Sequence, residues 1–353
     1  MAGIALLSMR WHPLAPEGVS LLVNAVKSMV GIFLVLFCLG NPLQAAETRQ
    51  FTFEYTTQIP APEEGQELDV FVPLAASSSH QEVIEESITA SIPGFVGQEN
   101  DYGNRYWHGR FDEAMTEPVE VTVRTVVERR VSRVTPPSRS RPLNAEERSA
   151  FAPFLTPNRR VPVGDPILDP IRAEIRTKAG SEDPAALARA IYDWVVDNVE
   201  YKKVGTGWGN GDTYWACSER RGNCTDFHAL FISLARSEGI PARFEIGFPV
   251  PESREQGEIA GYHCWVQFYL PEVGWFPIDA SEAFKDPDRR DFYYGTHPGD
   301  RIHMSTGRDL RLKEDKRHTP LNYFVYPHVE LDGIPWRGSV DNRFSYKSEP
   351  RPN

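Results

Sequence analysis

The sequence predicts an α+β protein in which an all-β sandwich precedes a core of mixed helices and strands. Residues 49–134 alternate apolar and polar side chains in short runs separated by turn signals, as strands with one buried face do. Residues 145–200 and 222–243 carry helix signals, and residues 261–281 return to strand patterns. The chain has 353 residues, of which 41% are hydrophobic, and this length is typical of two or three domains.

The amino end has the pattern of an export signal. Residues 29–39 form an uncharged apolar run that follows a lysine and precedes the small residues 45–46. This order is typical of a secretory signal, and the run is shorter than the about 20 residues of a membrane span. We therefore expect residues 1–46 to be a cleaved signal peptide, which makes the protein periplasmic or secreted with no stable membrane insertion afterwards. An uncleaved membrane anchor is the alternative, because residues 19–26 are also apolar.

Shifts in composition divide the chain into five segments. They are a signal peptide at 1–46, a β-sandwich domain at 47–135, a linker and helical lead-in at 136–180, a core at 181–295 and a C-terminal β extension at 296–353. The basic, proline-rich stretch at 129–142 is interpreted as a solvated linker, and an anion-binding strip is the alternative. The net charge of −11 repels nucleic acid, so we predict no nucleic-acid partner.

The predicted sandwich depends on period-two alternation. Phe51, Phe53 and Tyr55 alternate with polar residues, and the same alternation recurs at 68–72 and 119–127. No residue of this segment suggests chemistry.

The helical part begins with a clear start signal. Asp183 is a good N-cap, and Pro184 suits the first helical position. The apolar residues that follow at helical spacing are Leu187, Ile191, Trp194 and Val195. The glycine-rich loop at 205–212 is not a phosphate loop, because it follows a helix and lacks a Lys-Ser or Lys-Thr pair. We expect it to form a mobile rim beside a cleft.

A second predicted helix places a cysteine at its start. Asn223 is a good N-cap, Asp226 lies in the first turn and Gly239 is a stop signal. Cys224 is then the first helical residue, where free backbone N–H groups and the helix dipole favour a thiolate. The same N–H groups could bind an oxyanion.

A predicted hairpin supplies the partners that this cysteine would need. Two strand-like runs flank the turn signal at 271–274, with His263 on the first arm and Asp279 near the end of the second. In this arrangement Cys224 is the nucleophile, His263 takes and returns its proton, and Asp279 holds the imidazole tautomer.

These residues carry a resemblance to a known family. The chain contains, in this order, the motifs G-N-C-T-D-F-H-A-L-F, G-I-P-A-R, H-C-W-V and G-W-F-P-I-D-A-S. Over roughly residues 180–285 it resembles the transglutaminase-like superfamily of papain-fold cysteine enzymes. The resemblance implies a papain-like transglutaminase core with Cys224 as nucleophile, His263 as base and Asp279 as orienting acid. The part before residue 140 is similar to the β-domain that precedes this core in exported bacterial members.

The resemblance also implies an aromatic oxyanion donor upstream of the cysteine. Tyr201 is the leading candidate, and Trp208 and Trp215 are alternatives. Each of these side chains could equally pack in the cleft. His228, one turn after Cys224, is expected to be a buried, hydrogen-bonded histidine.

Two further cysteines need their own explanation. Cys264 should point away from the side of the strand that His263 uses, and a Cys217–Cys264 disulfide would leave Cys224 free. Two buried thiols are the alternative. A zinc site from Cys217, Cys224, His228 and His263 is a third interpretation, but the usual ligand spacing is absent. We predict neither a metal nor a cofactor, since the sequence also lacks a calcium-loop motif.

The expected function is that of an exported cysteine enzyme that attacks peptide or glutamine amides and forms a thioester. Its partner is a protein or peptide substrate, and hydrolysis or cross-linking follows depending on the second substrate. The alternative is a non-catalytic peptide-binding or envelope scaffolding module, and a third interpretation is an envelope assembly factor that uses the same chemistry. The sequence does not reveal the oligomeric state.

Overall fold

The computed structural model describes residues 48–113, 115–313 and 320–349. The predicted signal peptide at 1–46 lies outside these residues, so its cleavage stays a prediction. Among the described helices, none has both the length and the apolar character of a membrane span.

In the described residues, six amino-terminal strands and four strands from beyond residue 255 build two five-stranded antiparallel sheets. The first sheet contains, in spatial order, β11 (Gln256–Glu258), β18 (Asp341–Ser348), β1 (Thr48–Ile59), β6 (Val119–Arg130) and β3 (Gln81–Ala90). The second contains β17 (Ile334–Pro335), β16 (His328–Leu331), β2 (Leu68–Leu74), β5 (Arg105–Phe111) and β4 (Gly94–Gln98). Phe51, Phe53 and Tyr55 are buried, which confirms the predicted alternation in β1.

A four-stranded antiparallel sheet and six helices form the second half of the fold. The sheet contains, in order, β13 (Gly274–Ile278), β12 (His263–Leu270), β10 (Ala242–Pro249) and β15 (Arg301–Thr306).

The helices are α1 (Ala145–Ala150), α2 (Asp169–Ala179), α3 (Pro184–Asn198), α4 (Thr213–Glu219), α5 (Cys224–Ser237) and α6 (Ala280–Lys285). Short 3₁₀ turns lie at Ala152–Phe154, Pro166–Leu168 and Pro287–Arg289. Two small pairs complete it, β7 (Ser132–Arg133) with β14 (Thr296–His297) and β8 (Glu200–Tyr201) with β9 (Arg221–Gly222). The α+β fold class is therefore confirmed.

The local signals at 183–198 and 263–279 act as predicted. The Asp183 carboxylate accepts the backbone N–H of Ala185 at 2.9 Å at the start of α3. The hairpin pairs Val266 with Ile278 in antiparallel register, so that Asp279 directly follows its second arm.

One glycine permits the strand pairing next to the site. The register of β10 against β15 shifts between Ile246 and Gly247. A Cβ atom at Gly247 would lie 1.8 Å from the carbonyl oxygen of Ile302, far inside van der Waals contact. A residue without a side chain is required there, and the pairing continues to Arg301 at the start of β15.

The segment predicted as a C-terminal extension is divided among the sheets. Its strand β15 joins the core sheet, while β16 pairs with β2 and β18 pairs with β1. The described residues between 48 and 349 belong to one compact unit. The domain boundaries at 135, 180 and 295 stay predictions.

Candidate active site

The start of α5 holds Cys224 in place. The Asn223 side-chain oxygen accepts the backbone N–H of Thr225 at 2.9 Å, and the Asp226 carboxylate accepts the backbone N–H of Asn223 at 2.9 Å. This reciprocal capping box fixes the first turn, and Cys224 is the first helical residue, as the sequence predicts. Only 2% of the Cys224 surface is exposed. A thiolate there is close to the positive end of the helix dipole.

The hairpin brings a histidine and a carboxylate together. Nε2 of His263, at the start of β12, lies 2.6 Å from Oδ2 of Asp279. Asp279 directly follows β13 and also caps α6 by accepting the backbone N–H of Glu282 at 3.0 Å. Because Nε2 is used by Asp279, Nδ1 is the ring nitrogen of His263 left for another partner.

Cys224 and His263 shift each other's protonation. A hydrogen bond from Cys264 is the strongest cause that lowers the pKa of Cys224 well below its ordinary value, and His263 lowers it further against the effect of burial. Burial by itself would lower the pKa of His263, but Asp279 and then Cys224 raise it to about 10. These shifts favour a thiolate beside an imidazolium near neutral pH.

The Asp279 carboxylate has four close donors. Oδ2 accepts from His263 Nε2 at 2.6 Å and from Arg301 Nη1 at 3.0 Å. Oδ1 accepts from the Ser281 hydroxyl and from the Glu282 backbone N–H, both at 3.0 Å. Burial would raise the pKa of Asp279, but the His263 ring and the Arg301 guanidinium hold it well below its ordinary range. The carboxylate is therefore ionised.

Sequence reasoning missed Arg301. This side chain is 3% exposed, and its guanidinium lies 4.9 Å from the ring centre of Trp265. It reaches Asp279 because β15 pairs with β10 in the core sheet. Nothing in the local sequence signals this role, since the pairing joins distant parts of the chain.

A second histidine and a second cysteine contact each other close to Asp279. Nδ1 of His228 is 3.3 Å from Sγ of Cys264, and Nε2 of His228 is 3.6 Å from Oδ1 of Asp279. Both residues are fully buried, which confirms the expected burial of His228. Burial lowers the pKa of His228 to about 4 and raises the pKa of Cys264 well above its ordinary value. The imidazole is therefore neutral and the second thiol keeps its proton.

The predicted disulfide is corrected by the structure. Cys217, on α4, and Cys264, on β12, are both free thiols. The sulfur of Cys264 instead contacts Nδ1 of His228 at 3.3 Å. Burial raises the pKa of the Cys217 thiol to about 11. Of the alternative, two buried thiols, the structure has the buried Cys264 thiol, whereas the Cys217 thiol is only partly buried.

The four candidate zinc ligands do not form a metal-ligating group among the described residues. Within the described ranges, the potential ligand atoms that come together belong to His263, Asp279 and Glu282, all within 4.8 Å of one another. Arg301, 3.0 Å from Asp279, places a fixed positive charge beside this group. Because the pKa of His263 is raised to about 10, its ring is also protonated near neutral pH. Both charges oppose a cation, and we assign no metal here.

The aromatic candidates for an oxyanion donor differ in their partners. The indole N–H groups of Trp208 and Trp215 donate to backbone carbonyls at 3.0 Å, so neither is free. Burial, followed by the charge of Cys224, raises the pKa of Tyr201 far above its ordinary value, which places this phenol in the electrostatic field of the nucleophile. The Lys285 ammonium lies 4.1 Å from the Tyr201 ring centre. The role of Tyr201 stays a prediction.

The glycine-rich loop is anchored beside the site. The backbone N–H groups of Gly209 and Gly211 donate to the Asp226 carboxylate at 2.7 and 3.0 Å. The Tyr323 hydroxyl donates to the Gly209 carbonyl at 3.0 Å. The second half of the loop is thus hydrogen-bonded to α5 and to the C-terminal segment. The expected mobile rim would lack such anchors.

Residues 172–280 match the family model of the transglutaminase-like superfamily. The matched region includes Cys224, His263 and Asp279 and ends before Arg301. The chain contains a transglutaminase-like core. The resemblance noted in the sequence is therefore confirmed over this region.

Individual proteins are also similar to this chain, and two of those described here match it over most of its length. An uncharacterized protein of Haemophilus influenzae is 24% identical over 346 residues, which cover 85% of this chain and 90% of the relative. The uncharacterized protein YebA of Bacillus subtilis is 34% identical over 77 residues, 19% of this chain and 10% of the relative. The structure of a candidate cysteine protease from Cytophaga hutchinsonii has a TM-score of 0.53 at 19% identity and covers 86% of this chain and 99% of its own. The transglutaminase-like core and the sheets around it thus share the fold of that structure.

Proposed function

We propose that this protein is a cysteine-dependent amide hydrolase or acyltransferase that acts on protein or peptide substrates through Cys224, His263 and Asp279. The observation that carries the proposal is the 2.6 Å contact between His263 Nε2 and Asp279 Oδ2. The pKa of Cys224, which His263 helps to lower, supports it. Acyl transfer needs a nucleophile, a base and a carboxylate that orients the base, and these three residues supply them.

The first half of the reaction acylates Cys224. Its thiolate attacks the amide carbonyl carbon, and the oxygen takes the negative charge near the positive end of the α5 dipole, with Tyr201 as a candidate donor. His263 then gives the proton on Nδ1 to the leaving nitrogen, since Nε2 stays bound to Asp279. The C–N bond breaks, an amine or ammonia leaves and a thioester remains on Cys224.

The second half removes the acyl group. His263, now neutral, accepts a proton at Nδ1 from the incoming water or amine as that molecule attacks the thioester. Water gives peptidase or deamidase activity, and a lysine amine gives a cross-link. The three activities share one acyl-enzyme, so the proposal covers them as a class. We place the reaction in the periplasm or outside the cell, on the basis of the export pattern at 1–46.

The test is to trap the thioester. The purified protein is incubated with a library of peptides that contain glutamine, and intact-mass spectrometry measures acyl adducts in the wild type, in Cys224→Ala and in Cys217→Ala. Cys217 is the matched control because it is another free thiol, on α4. We expect adducts in the wild type and in Cys217→Ala, and none in Cys224→Ala. Adducts that persist in Cys224→Ala, or no adduct in the wild type, would favour the non-catalytic peptide-binding alternative.

A further inference from the structure

Trp265 is a large, buried side chain that the proposed reaction does not use. It lies on β12 two residues after His263, and alternation along a strand puts these two side chains on the same face. Their ring centres are 6.2 Å apart. Because Trp265 is 1% exposed, the contacts of its indole are with the protein, one type at the edge and another at the face.

The edge of the indole is anchored to a buried carboxylate. Trp265 pairs with Glu245 across β12 and β10, and its Nε1–H donates to Glu245 Oε2 at 2.6 Å. Glu245 also accepts from Gln267 Nε2 at 2.9 Å and forms an ion pair with Arg243 at 3.0 Å. Burial by itself would raise the pKa of Glu245, but Arg243 and then His297 hold it well below its ordinary value. The acceptor is therefore charged, which makes its hydrogen bond to the indole a strong one.

The face of the indole carries the Arg301 guanidinium. The guanidinium carbon lies 4.9 Å from the ring centre, within the about 6 Å over which an aromatic face attracts a cation. Arg301 is 3% exposed, and such contacts are stronger where water is excluded. Its Nη1 donates at 3.0 Å to Asp279 Oδ2, the oxygen that also binds His263 Nε2. The guanidinium thus contacts both the indole and the carboxylate that orients the histidine.

We propose that Trp265 is a positioning residue of the site, which is anchored by Glu245 and holds the Arg301 guanidinium on Asp279 Oδ2. A carboxylate with a fixed second donor on this oxygen has less freedom to turn away from His263. The imidazolium that supports the Cys224 thiolate is then held in its orientation. The inference rests on the proposed roles of the three catalytic residues, but the contacts that carry it do not depend on turnover.

Helix α3 contains the same arrangement and supplies a matched control. Trp194 is 4% exposed, and its Nε1–H donates to Glu174 Oε2 at 2.7 Å. The Arg220 guanidinium lies 4.4 Å from its ring centre. Within the described part of the chain, this arrangement forms no hydrogen bond or ion pair with the three proposed catalytic residues. It therefore has the same chemistry without the link to Asp279.

The decisive experiment weakens the ring face while it keeps the shape of the side chain. Tryptophan with one, two or three ring fluorines is incorporated at position 265 and, in the control series, at position 194. Fluorine withdraws electron density from the ring and so weakens the attraction for a guanidinium in steps, while the indole N–H remains. Proton NMR follows the signal of His263 Nε2–H, and mass spectrometry of the peptide that contains Cys224 measures its alkylation by iodoacetamide near neutral pH.

We expect the alkylation rate to fall with each fluorine at position 265, on the order of tenfold for three, because a less firmly oriented imidazolium supports the thiolate less. The signal of His263 Nε2–H should broaden in the same order as its bond to Asp279 loosens. The series at position 194 should change neither readout. Trp265→Leu should reproduce the loss, and Trp265→Phe, which keeps an aromatic face, should restore part of it.

Wild-type rates and an unchanged proton signal with three fluorines at position 265 would overturn the inference. Equal losses in the two series would overturn it as well, since they would show a general effect of the fluorines. Neither readout needs an amide substrate. An absence of acyl adducts, with the expected difference between positions 265 and 194 intact, would therefore reject only the proposed function.

Discussion

At the scale of single residues, Arg301 balances a buried charge. Its guanidinium and the Asp279 carboxylate are both almost fully buried and lie 3.0 Å apart. We expect Arg301→Met to lower the free energy of unfolding by about 3 kcal/mol, because removal of one partner of a buried ion pair leaves the other incompletely compensated. Urea denaturation measures the difference.

The matched control for Arg301 is a similar substitution on the surface. The Arg343 side chain is 73% exposed, and its ion pair with Asp341 at 3.0 Å is in contact with solvent. Arg343→Met should change the free energy of unfolding by less than about 1 kcal/mol. Equal losses in the two variants would contradict the importance of the pair between Arg301 and Asp279.

His263 should make stability depend on pH on the alkaline side. Burial alone would lower the pKa of His263, but Asp279 and Cys224 raise it from 6.5 to about 10 in the folded protein. A group whose folded pKa is raised contributes stability that is complete below the unfolded value and is lost as pH rises through the folded value. The stability advantage of the wild type over His263→Gln should therefore decrease between pH 6.5 and about pH 10. Urea denaturation of both proteins across this range measures it, and a constant advantage would show that the pKa is not raised.

At the scale of an element, the cap of α5 supports both the helix and the nucleophile. Asn223 accepts the backbone N–H of Thr225 at 2.9 Å and donates from Nδ2 to the Tyr262 hydroxyl at 3.0 Å. We expect Asn223→Ala to cost about 1 kcal/mol of stability, which is usual for a lost N-cap. It should also slow alkylation of Cys224 by iodoacetamide near neutral pH, because the first turn loosens around the thiolate.

A second capping box provides the control for Asn223. Asn144 accepts the backbone N–H of Glu147 at 2.9 Å at the start of the surface helix α1. Asn144→Ala removes the same type of cap away from Cys224. It should cost a similar or smaller free energy of unfolding and leave the alkylation rate of Cys224 unchanged. A slower rate in both variants would point to general loosening of the protein.

At the scale of the whole molecule, aromatic packing joins the first five-stranded sheet to the transglutaminase-like core. The ring of Phe344 on β18 lies 4.5 Å from that of Tyr55 on β1 and 4.3 Å from that of Phe248 on β10. We expect Phe344→Ala to cost about 3 kcal/mol, because it leaves a cavity where both parts meet. Phe95→Ala is the control, since that ring is 53% exposed, and it should cost much less. Chemical denaturation should follow one transition in the wild type, and two separate transitions would contradict the coupling.

The sequence predicted the parts of the fold and site that local signals determine. The cap at Asn223, the turn before Gly274 and the alternation in β1 each act within a few residues, and they were enough to place Cys224, His263 and Asp279 on the correct elements. Catalytic roles for these three residues stay predictions until the thioester is tested.

The remainder depends on contacts between distant parts of the chain. Strand alternation predicts the face of β12 on which Cys264 lies, but it does not predict that α5 brings His228 to its sulfur. The predicted disulfide between Cys264 and Cys217 was therefore wrong. In the same way, no local pattern shows that β15 pairs with β10 and carries Arg301 to Asp279.

The place of β15 has a practical consequence for anyone who wishes to transplant this chemistry. Gln81 on β3 forms two hydrogen bonds with the backbone of His303, at 2.9 and 2.8 Å. These bonds connect β15 to the first five-stranded sheet as well. A chimaera that carried only residues 172–280 would bring the thiol, imidazole and carboxylate but leave their guanidinium behind. The donor fragment must extend through β15 and bring with it an amide that can replace Gln81.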